Sequence, residues 1–195
     1  MTLVDQLDAW DRAVFLLLNG AHTPWLDPVM LAVSDMLLWF PLYAFFLFVI
    51  QRRYGWKGLA WSVPVIAGMV LCSDKGSVLL FKENFTRLRP CHQPALEGLV
   101  HLVPEGCGGR FGFISSHASN HFAIAVFMIG ALRTRPRVVV PALLFWATLI
   151  AYSRVYLGVH YPGDVLVGAV YGSLTGLLFA VVQQRVMATL SNFAP

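Results

Sequence analysis

Five long apolar segments recur along this chain of 195 residues, at about 28–50, 59–81, 117–132, 138–152 and 163–183. An α-helix needs roughly 20 apolar residues to cross about 30 Å of hydrocarbon, and flanking residues can extend the shorter third and fourth segments. The chain is 57% hydrophobic and 12% charged, with a mean hydropathy of +0.66. These values exclude a disordered or nucleic-acid-coating protein and predict an all-α, polytopic membrane helix bundle.

The first twenty residues predict a sixth helix that lies on the membrane surface instead of crossing it. Apolar side chains recur there at helical spacing, on Leu3, Leu7, Trp10, Val14, Leu17 and Leu18. The apolar stretch 13–18 is too short, and its flanks are too acidic, for a cleaved secretory signal, so we expect the segment to be retained. No internal repeat or low-complexity tract marks a second domain, and we expect 1–195 to form a single membrane-embedded domain.

Positive charge in the short loops predicts the orientation of the bundle, because Lys and Arg are enriched on the cytoplasmic side. Five crossings place seven basic residues on one side, namely Arg52, Arg53, Lys57, Arg133, Arg135, Arg137 and Arg185. We therefore expect that side and the C-terminus to be cytoplasmic. The polar loop 82–116 and the turn 152–164 then face the exterior together.

Charged and polar side chains concentrate at this outer face, where their types suit an anion. The candidates are Lys82, Arg89, Ser115, Ser116, His117, Arg154, His160 and Asp164. Arginine offers paired donors to phosphoryl oxygens, and lysine offers a compact positive charge. Ser115 and Ser116 lie where the third span begins, so a helix N-terminus would add free N–H groups. Asp164 follows His160 by four positions and could fix its tautomer.

The order and spacing of these residues resemble the type 2 phosphatidic acid phosphatase superfamily of membrane lipid phosphatases. Lys82 is followed after six residues by Arg89 and Pro90, as in the first motif of that family. The third motif, Ser-Arg, five residues, His, three residues, Asp, is intact over 153–164. The second motif is usually Pro-Ser-Gly-His, and here it reads Ile-Ser-Ser-His over 114–117.

The resemblance implies a role for each matching residue. His160 would attack phosphorus to give a phosphohistidine, Asp164 would orient His160, and His117 would protonate the leaving oxygen. The phosphate would be bound by Lys82, Arg89, Ser115, the N-terminus at Ser116, and Arg154. The resemblance implies no metal and no cofactor, since positive side chains supply the charge.

The resemblance also implies a lipid phosphate substrate at the outer leaflet of a bacterial inner membrane. Among family substrates, undecaprenyl diphosphate is our first expectation, followed by phosphatidylglycerophosphate or phosphatidic acid, and then a lipid A phosphate. The expected partners are the bilayer and this lipid, with no nucleic acid and no metal, and the oligomeric state is open. Rival interpretations are a lipid phosphotransferase using the same phosphohistidine, a transporter or flippase of phosphorylated lipid, and an inactive lipid-binding relative.

Several other polar residues carry a structural interpretation beside a functional one. His121 could form a metal pair with His117, although an interhelical contact is favoured. Asp74 and Lys75 could pair with each other or line the substrate entrance, and pairing is favoured. Arg87 and Arg110 could contact a head group or be ordinary loop charges. Cys91 and Cys107 share the outward loop, where an oxidising exterior favours a disulfide over two free thiols.

Overall fold

The computed structural model describes residues 2–103, 106–132 and 137–192. Within them lie six α-helices of at least eight residues: α1 Leu3–Gly20, α2 Asp27–Ser34, α3 Phe40–Gly76, α4 Ser116–Ala131, α5 Val139–Tyr156 and α6 Pro162–Asn192. These described residues contain no β-strand, and an isolated β-bridge joins Leu88 to Phe111. The all-α class is therefore confirmed.

Three helical stretches are long and apolar enough to span a membrane, and the first of them contains two predicted spans. The stretches are Met36–Phe85, Val139–Tyr156 and Pro162–Asn192. Gly55 interrupts the first stretch with φ +71°, a conformation that favours glycine. Tyr43 and Ser73, on opposite sides of Gly55, contact His121 and Ser119 at the same level of α4. The chain therefore reverses at Gly55, and the segments on either side run antiparallel.

The prediction of a continuous span over 28–50 is wrong at its beginning. Helix α2 ends at Ser34, and the backbone of Asp35 is extended. The side-chain carboxylate of Asp35 accepts a hydrogen bond from the N–H of Leu37 at 2.9 Å. This contact caps a 3-10 turn, Met36–Trp39, which leads into α3. An aspartate that caps the following turn ends the preceding helix, because it offers the backbone an alternative partner.

Helix α1 is amphipathic, as predicted, and its apolar stripe is exposed. Leu3, Trp10 and Leu17 are 70%, 68% and 73% exposed, whereas Phe15 and Asn19 on the opposite face are buried. Phe15 packs edge-on against Tyr161. One face therefore contacts the protein and the other is free to contact lipid, and the location of α1 at the membrane surface stays a prediction.

Helices α4 and α6 pack closely at the centre of the bundle. Gly168, Gly172 and Gly176 of α6 face backbone atoms of Ser115, Ser119 and Ala123, and a Cβ at any of the three glycines would overlap them. Small residues four positions apart allow helices to approach in this way. This glycine stripe therefore packs within the bundle, against α4.

The loop between α3 and α4 covers the outer end of the bundle. A π-helical segment, Ser77–Lys82, and one α-helical turn, Glu83–Phe85, extend α3 outward. Beyond them Cys91 and Cys107 form a disulfide, with Cα atoms 6.0 Å apart. Arg89 lies two residues before the bridge in the same loop.

Five of the seven basic residues counted for the predicted orientation lie at one end of the bundle. Tyr54, beside the turn at Gly55, contacts Ala131 at the end of α4, and Gln184 of α6 contacts Gly130. Arg52, Arg53, Lys57, Arg137 and Arg185 belong to this end, while Arg133 and Arg135 lie outside the described residues. Which end faces the cytoplasm stays a prediction.

Candidate active site

The outer ends of four helices and one loop bring the predicted site residues together. Lys82 ends the extension of α3, Arg89 lies in the loop, and Ser116 and His117 begin α4. Arg154 lies in the last turn of α5, and Asp164 lies in the first turn of α6. These positions are up to 82 residues apart in sequence, and they meet because α4 and α6 pack side by side with their N-termini at the same end.

The imidazole of His160 lies between a carboxylate and a guanidinium group. Its Nδ1 is 3.4 Å from Oδ2 of Asp164, and its Nε2 is 3.1 Å from a terminal nitrogen of Arg89. An ionised Asp164 only accepts, and Arg89 only donates, so the proton belongs on Nδ1 and the lone pair on Nε2. Both His160 and Asp164 are at most 1% exposed.

The surroundings of His160 keep its ring neutral. Burial lowers the pKa of His160 well below its ordinary value, and the positive charges of Arg89, Arg154 and Lys82 lower it further. A neutral ring with a free Nε2 lone pair is the form that can act as a nucleophile.

The turn that carries His160 is set by its own backbone. The N–H groups of Val159 and His160 both donate to the carbonyl of Arg154, at 3.1 and 3.2 Å. Gly158 has φ +79°, and a Cβ there would overlap the backbone of His101. Pro162 then begins α6, so His160 precedes the helix whose first turn contains Asp164.

Arg89 is held toward His160 and has unused donor capacity. Its terminal nitrogen donates to the carbonyl of Val159 at 3.2 Å, and its buried Nε has no hydrogen-bond partner among the described residues. A half-buried guanidinium that contacts an imidazole and keeps an unused Nε donor suits an oxyanion ligand.

The serine that replaces the glycine of the family motif contacts the lysine of the first motif. Nζ of Lys82 donates to Oγ of Ser116 at 2.8 Å, and Ser77 lies 2.6 Å from the same oxygen. Ser116 therefore fixes the head group of Lys82 at the N-terminus of α4.

Ser115 has a different environment from Ser116. It is fully buried, its Oγ accepts the N–H of Ala118 at 3.4 Å, and its own N–H donates to the carbonyl of Asp164 at 3.0 Å. It caps α4 and ties α4 to α6, and its expected contact with phosphate stays a prediction.

His117 and Arg154 complete the set on the side of α2 and α4. The positive charges of Arg154 and Lys82 act on His117, which lines a cavity of about 370 Å³. Arg154 donates to the hydroxyl of Ser34 at the end of α2. Two imidazoles and three cationic side chains therefore lie close enough to act on one another at this end of the bundle, and of the five only His117 lines the cavity.

A charged network from α1 reaches Asp164, and our sequence reasoning did not find it. One nitrogen of Arg87 lies 2.9 Å from Oδ1 of Asp164 and 2.8 Å from Asp11, while the other lies 2.8 Å from Asp8. The guanidinium also lies 4.1 Å from the centre of the Tyr161 ring. Arg87, left undecided between head-group contact and loop charge, is thus a support for Asp164.

The network keeps Arg87 positively charged and fixes the start of α6. Burial alone would lower the pKa of Arg87, but Asp164, Asp11 and Asp8 raise it overall, so Arg87 stays a cation. Asp11 also accepts the N–H of Gly163 at 2.7 Å, at the start of α6. The spacing of Asp8 and Asp11 on one face of α1 was the available signal, but nothing in the sequence pairs them with Arg87.

The remaining polar residues have internal partners. The ring nitrogens of His121 contact the carbonyl of His117 at 2.8 Å and the hydroxyl of Tyr43 at 3.0 Å, so the expected interhelical contact is confirmed. Among the described residues, no group of three His, Cys, Asp or Glu side chains could hold a metal ion.

The expected pair between Asp74 and Lys75 is wrong. Asp74 contacts Nδ2 of Asn120 at 3.3 Å and lines the cavity, and the described residues show no ion pair between it and Lys75. Adjacent residues on a helix point about 100° apart, so one side chain faces the bundle and its neighbour faces outward.

Comparison with known proteins identifies the family. The family model of the PAP2 superfamily matches residues 59–188. The chain is 33% identical over 194 residues to a lipid A 4′-phosphatase of Bacteroides thetaiotaomicron, covering 99% of this chain and 85% of the relative.

Two crystal structures share the architecture. Aquifex aeolicus LpxE has a TM-score of 0.59 and 27% identity, covering 86% of this chain and 92% of that one. A transmembrane PAP2-type phosphatidylglycerolphosphate phosphatase from Bacillus subtilis has a TM-score of 0.67 and 24% identity, covering 93% of this chain and 88% of that one. At this identity the likeness shows the fold alone. The family match and the curated relative together show that the chain belongs to the PAP2 superfamily and is a lipid phosphatase.

Proposed function

We propose that this protein hydrolyses a lipid phosphomonoester at the outer face of the membrane through a phosphohistidine on His160. The observation that carries the proposal is the position of the His160 ring. Its Nδ1 is directed to buried Asp164 and its Nε2 to Arg89, the side chain best suited to bind phosphoryl oxygens. A phosphoryl group bound by Arg89 would present its phosphorus to Nε2.

In the first step Nε2 of His160 attacks phosphorus, and the bond from phosphorus to the lipid oxygen breaks. His117 gives its proton to that oxygen, so the lipid leaves as an alcohol. The charge on the equatorial oxygens is balanced by Lys82, Arg89 and Arg154, and by the N–H groups at the start of α4. Asp164 stabilises the positive charge that develops on His160.

In the second step water attacks the phosphohistidine and the bond from nitrogen to phosphorus breaks. His117, now neutral, takes a proton from the water, and inorganic phosphate leaves with His160 restored. A second lipid alcohol in place of water would make the protein a phosphotransferase. Analysis of the phosphorylated products separates these two outcomes.

The depth of the site supports a lipid substrate. The site lies at the ends of spanning helices, where a head group can reach it while the tail stays in the bilayer. Sidedness from the basic loops supports the outer leaflet. The bacterial relative supports an inner membrane, in which the site would face the periplasm.

Among the expected substrates, the comparison moves a lipid A type phosphate ahead of undecaprenyl diphosphate. The relative named lipid A 4′-phosphatase aligns along nearly the whole chain. We therefore propose a phosphomonoester of a saccharide lipid as the physiological substrate class.

The mechanism is tested with purified protein in detergent, using p-nitrophenyl phosphate, whose leaving group needs no proton. The variant His117→Asn should then form phosphoenzyme but hydrolyse it slowly, so that an acid-labile, base-stable phosphoprotein accumulates. His160→Ala should form none. Wild-type turnover retained by His160→Ala, or a phosphate group found on another residue, would refute the proposal.

A further inference from the structure

The cavity beside His117 has a polar outer end and an apolar inner end. It lies between α4 and the two antiparallel halves of the Met36–Phe85 stretch, and its volume is about 370 Å³. The outer end is lined by Asp74, Ser116, His117 and Asn120, and the inner part by Leu47, Ile66, Val70, Ile124 and Met128. Such an amphipathic cavity fits a molecule with a polar head and an apolar chain.

The cavity lies where the leaving group of the reaction must be. In an in-line displacement the leaving oxygen is opposite the attacking atom, and in our proposed function His117 protonates that oxygen. His117 is part of the cavity wall. A lipid alcohol that takes its proton from His117 would therefore lie in the cavity. The inference therefore rests on the proposed function.

The polar end of the cavity offers hydrogen-bond acceptors, one of which is the carboxylate of Asp74. Asn120 uses its Nδ2 to contact Asp74 at 3.3 Å, which leaves its Oδ1 buried and without a hydrogen-bond partner among the described residues. A buried carbonyl oxygen without a donor is costly unless a ligand supplies one. Asp74 adds carboxylate oxygens that accept hydrogen bonds as well.

Acceptors of this kind distinguish between classes of leaving group. A hydroxyl or amide N–H of a sugar or glycerol head group can donate to Asn120 and Asp74. The leaving group of a diphosphate is itself a phosphate, which is mostly a dianion without a donor at neutral pH and would lie beside a carboxylate. The negative charges of this phosphate and of the Asp74 carboxylate would repel each other. The carbonyl oxygen of Asn120 would gain no hydrogen bond from such a leaving group.

We propose that Asp74 and Asn120 form a leaving-group subsite that selects lipid phosphomonoesters with a hydroxyl or amide donor near the ester oxygen, and that it disfavours polyprenyl diphosphates. The apolar wall below accepts part of one acyl chain. From Ser116 to Met128 the wall follows α4 for about 18 Å, at 1.5 Å per residue.

The test compares kcat/KM for three probes in one detergent: 1-lauroyl-glycerol 3-phosphate, its analogue lacking the free hydroxyl, and farnesyl diphosphate. The wild-type protein should prefer the hydroxylated monoester to the deoxy analogue by about tenfold, the size of one hydrogen bond to a charged acceptor. It should hydrolyse farnesyl diphosphate least efficiently. A wild-type preference for the diphosphate would overturn the proposal.

Two variants change the charge of the subsite in opposite directions. Asp74→Asn should raise kcat/KM for farnesyl diphosphate about tenfold and lower it for the hydroxylated monoester, because one repulsion and one strong acceptor are removed. Asn120→Asp should instead lower kcat/KM for the diphosphate about fivefold. Structural damage would lower all three probes together, so opposite changes in two probes identify selectivity.

Asp5→Asn is the matched control, because it removes a carboxylate of the same size at the exposed start of α1. It should leave the ratios between the three probes at their wild-type values. Equal effects of Asp74→Asn on all three probes, or no effect, would overturn the subsite while phosphoenzyme formation still supported the proposed function. Absence of phosphoenzyme with every probe would overturn the proposed function itself.

Discussion

Replacement of Arg87 by methionine should slow turnover without removing any group that touches the phosphate. Arg87 bridges Asp164 to Asp11 and Asp8 of α1, and Asp164 is fully buried. Removing one partner of a buried ion pair costs about 3–5 kcal/mol of stability. Arg87 is 22% exposed and Asp164 keeps the N–H of Tyr161, so we take about 3 kcal/mol, the low end of that range.

Part of this loss should appear in the rate, because a carboxylate without its support holds His160 less firmly. If one to two thirds of about 3 kcal/mol is lost in the transition state, kcat falls about 5- to 30-fold, at 1.36 kcal/mol per factor of ten. KM should change less, since Arg87 contacts the carboxylate of Asp164 and is not one of the residues that we propose to bind phosphate.

The assay is phosphate release at saturating lipid, with a thermal unfolding measurement on the same sample. Arg87→Lys should recover part of the rate, because the charge is kept but a single ammonium cannot bridge all three carboxylates. Arg110→Met is the matched control, since Arg110 is an exposed arginine of the same loop, and it should behave like the wild type. A kcat of Arg87→Met within twofold of wild type would refute the supporting role of Arg87.

Three further outcomes follow from the same geometry. Gly163→Ala should lower kcat as Arg87→Met does, because its Cβ would lie 2.7 Å from Asp11, and an unchanged kcat would count against the link between α1 and α6. Denatured, unreduced protein should show one reactive thiol, Cys72, by thiol titration, whereas three would mean that Cys91 and Cys107 are free. The pKa of His160 is lowered by burial first and then by its cationic neighbours, so protonation of Nε2 should silence the enzyme only well below pH 6.5. A kcat/KM profile that falls with an apparent pKa near 6.5 and is unaltered by His117→Asn would contradict this assignment. The free energy of unfolding should also fall as the pH drops below about 6.5. The reason is that His160 of the unfolded chain binds a proton near that pH, whereas His160 of the folded protein does not.

Local patterns predicted the helices well, because spanning segments are fixed by their own composition. The predicted segment 117–132 lies within one residue of α4, and the turn at Gly55 falls between two predicted spans. The break at Asp35 was missed, since a capping aspartate inside an apolar segment reads as one tolerated polar residue until its backbone angles are known.

Tertiary pairs were less accessible to sequence reasoning than motifs. His160 and Asp164 are four residues apart, so helical spacing suggested their contact. Arg87 and Asp11 are 76 residues apart, and neither belongs to a motif. Only the packing of α1 against the turn before α6 brings them together, and no periodicity in the sequence specifies that packing.

In the altered second motif, the serine at position 116 holds the ammonium group of Lys82 in place. Glycine at position 116 would leave the head group of Lys82 without the oxygen it now contacts at 2.8 Å. Serine supplies that oxygen, and its partner Ser77 in turn donates to the carbonyl of Asp74 at 2.7 Å. The substitution therefore connects Lys82, the lysine of the first motif, to the segment that lines the proposed leaving-group cavity. Ser116 has less backbone freedom than the glycine of the family motif, but its hydroxyl fixes the side chain of Lys82. The position of this cation is therefore determined by a hydroxyl that the family pattern does not contain.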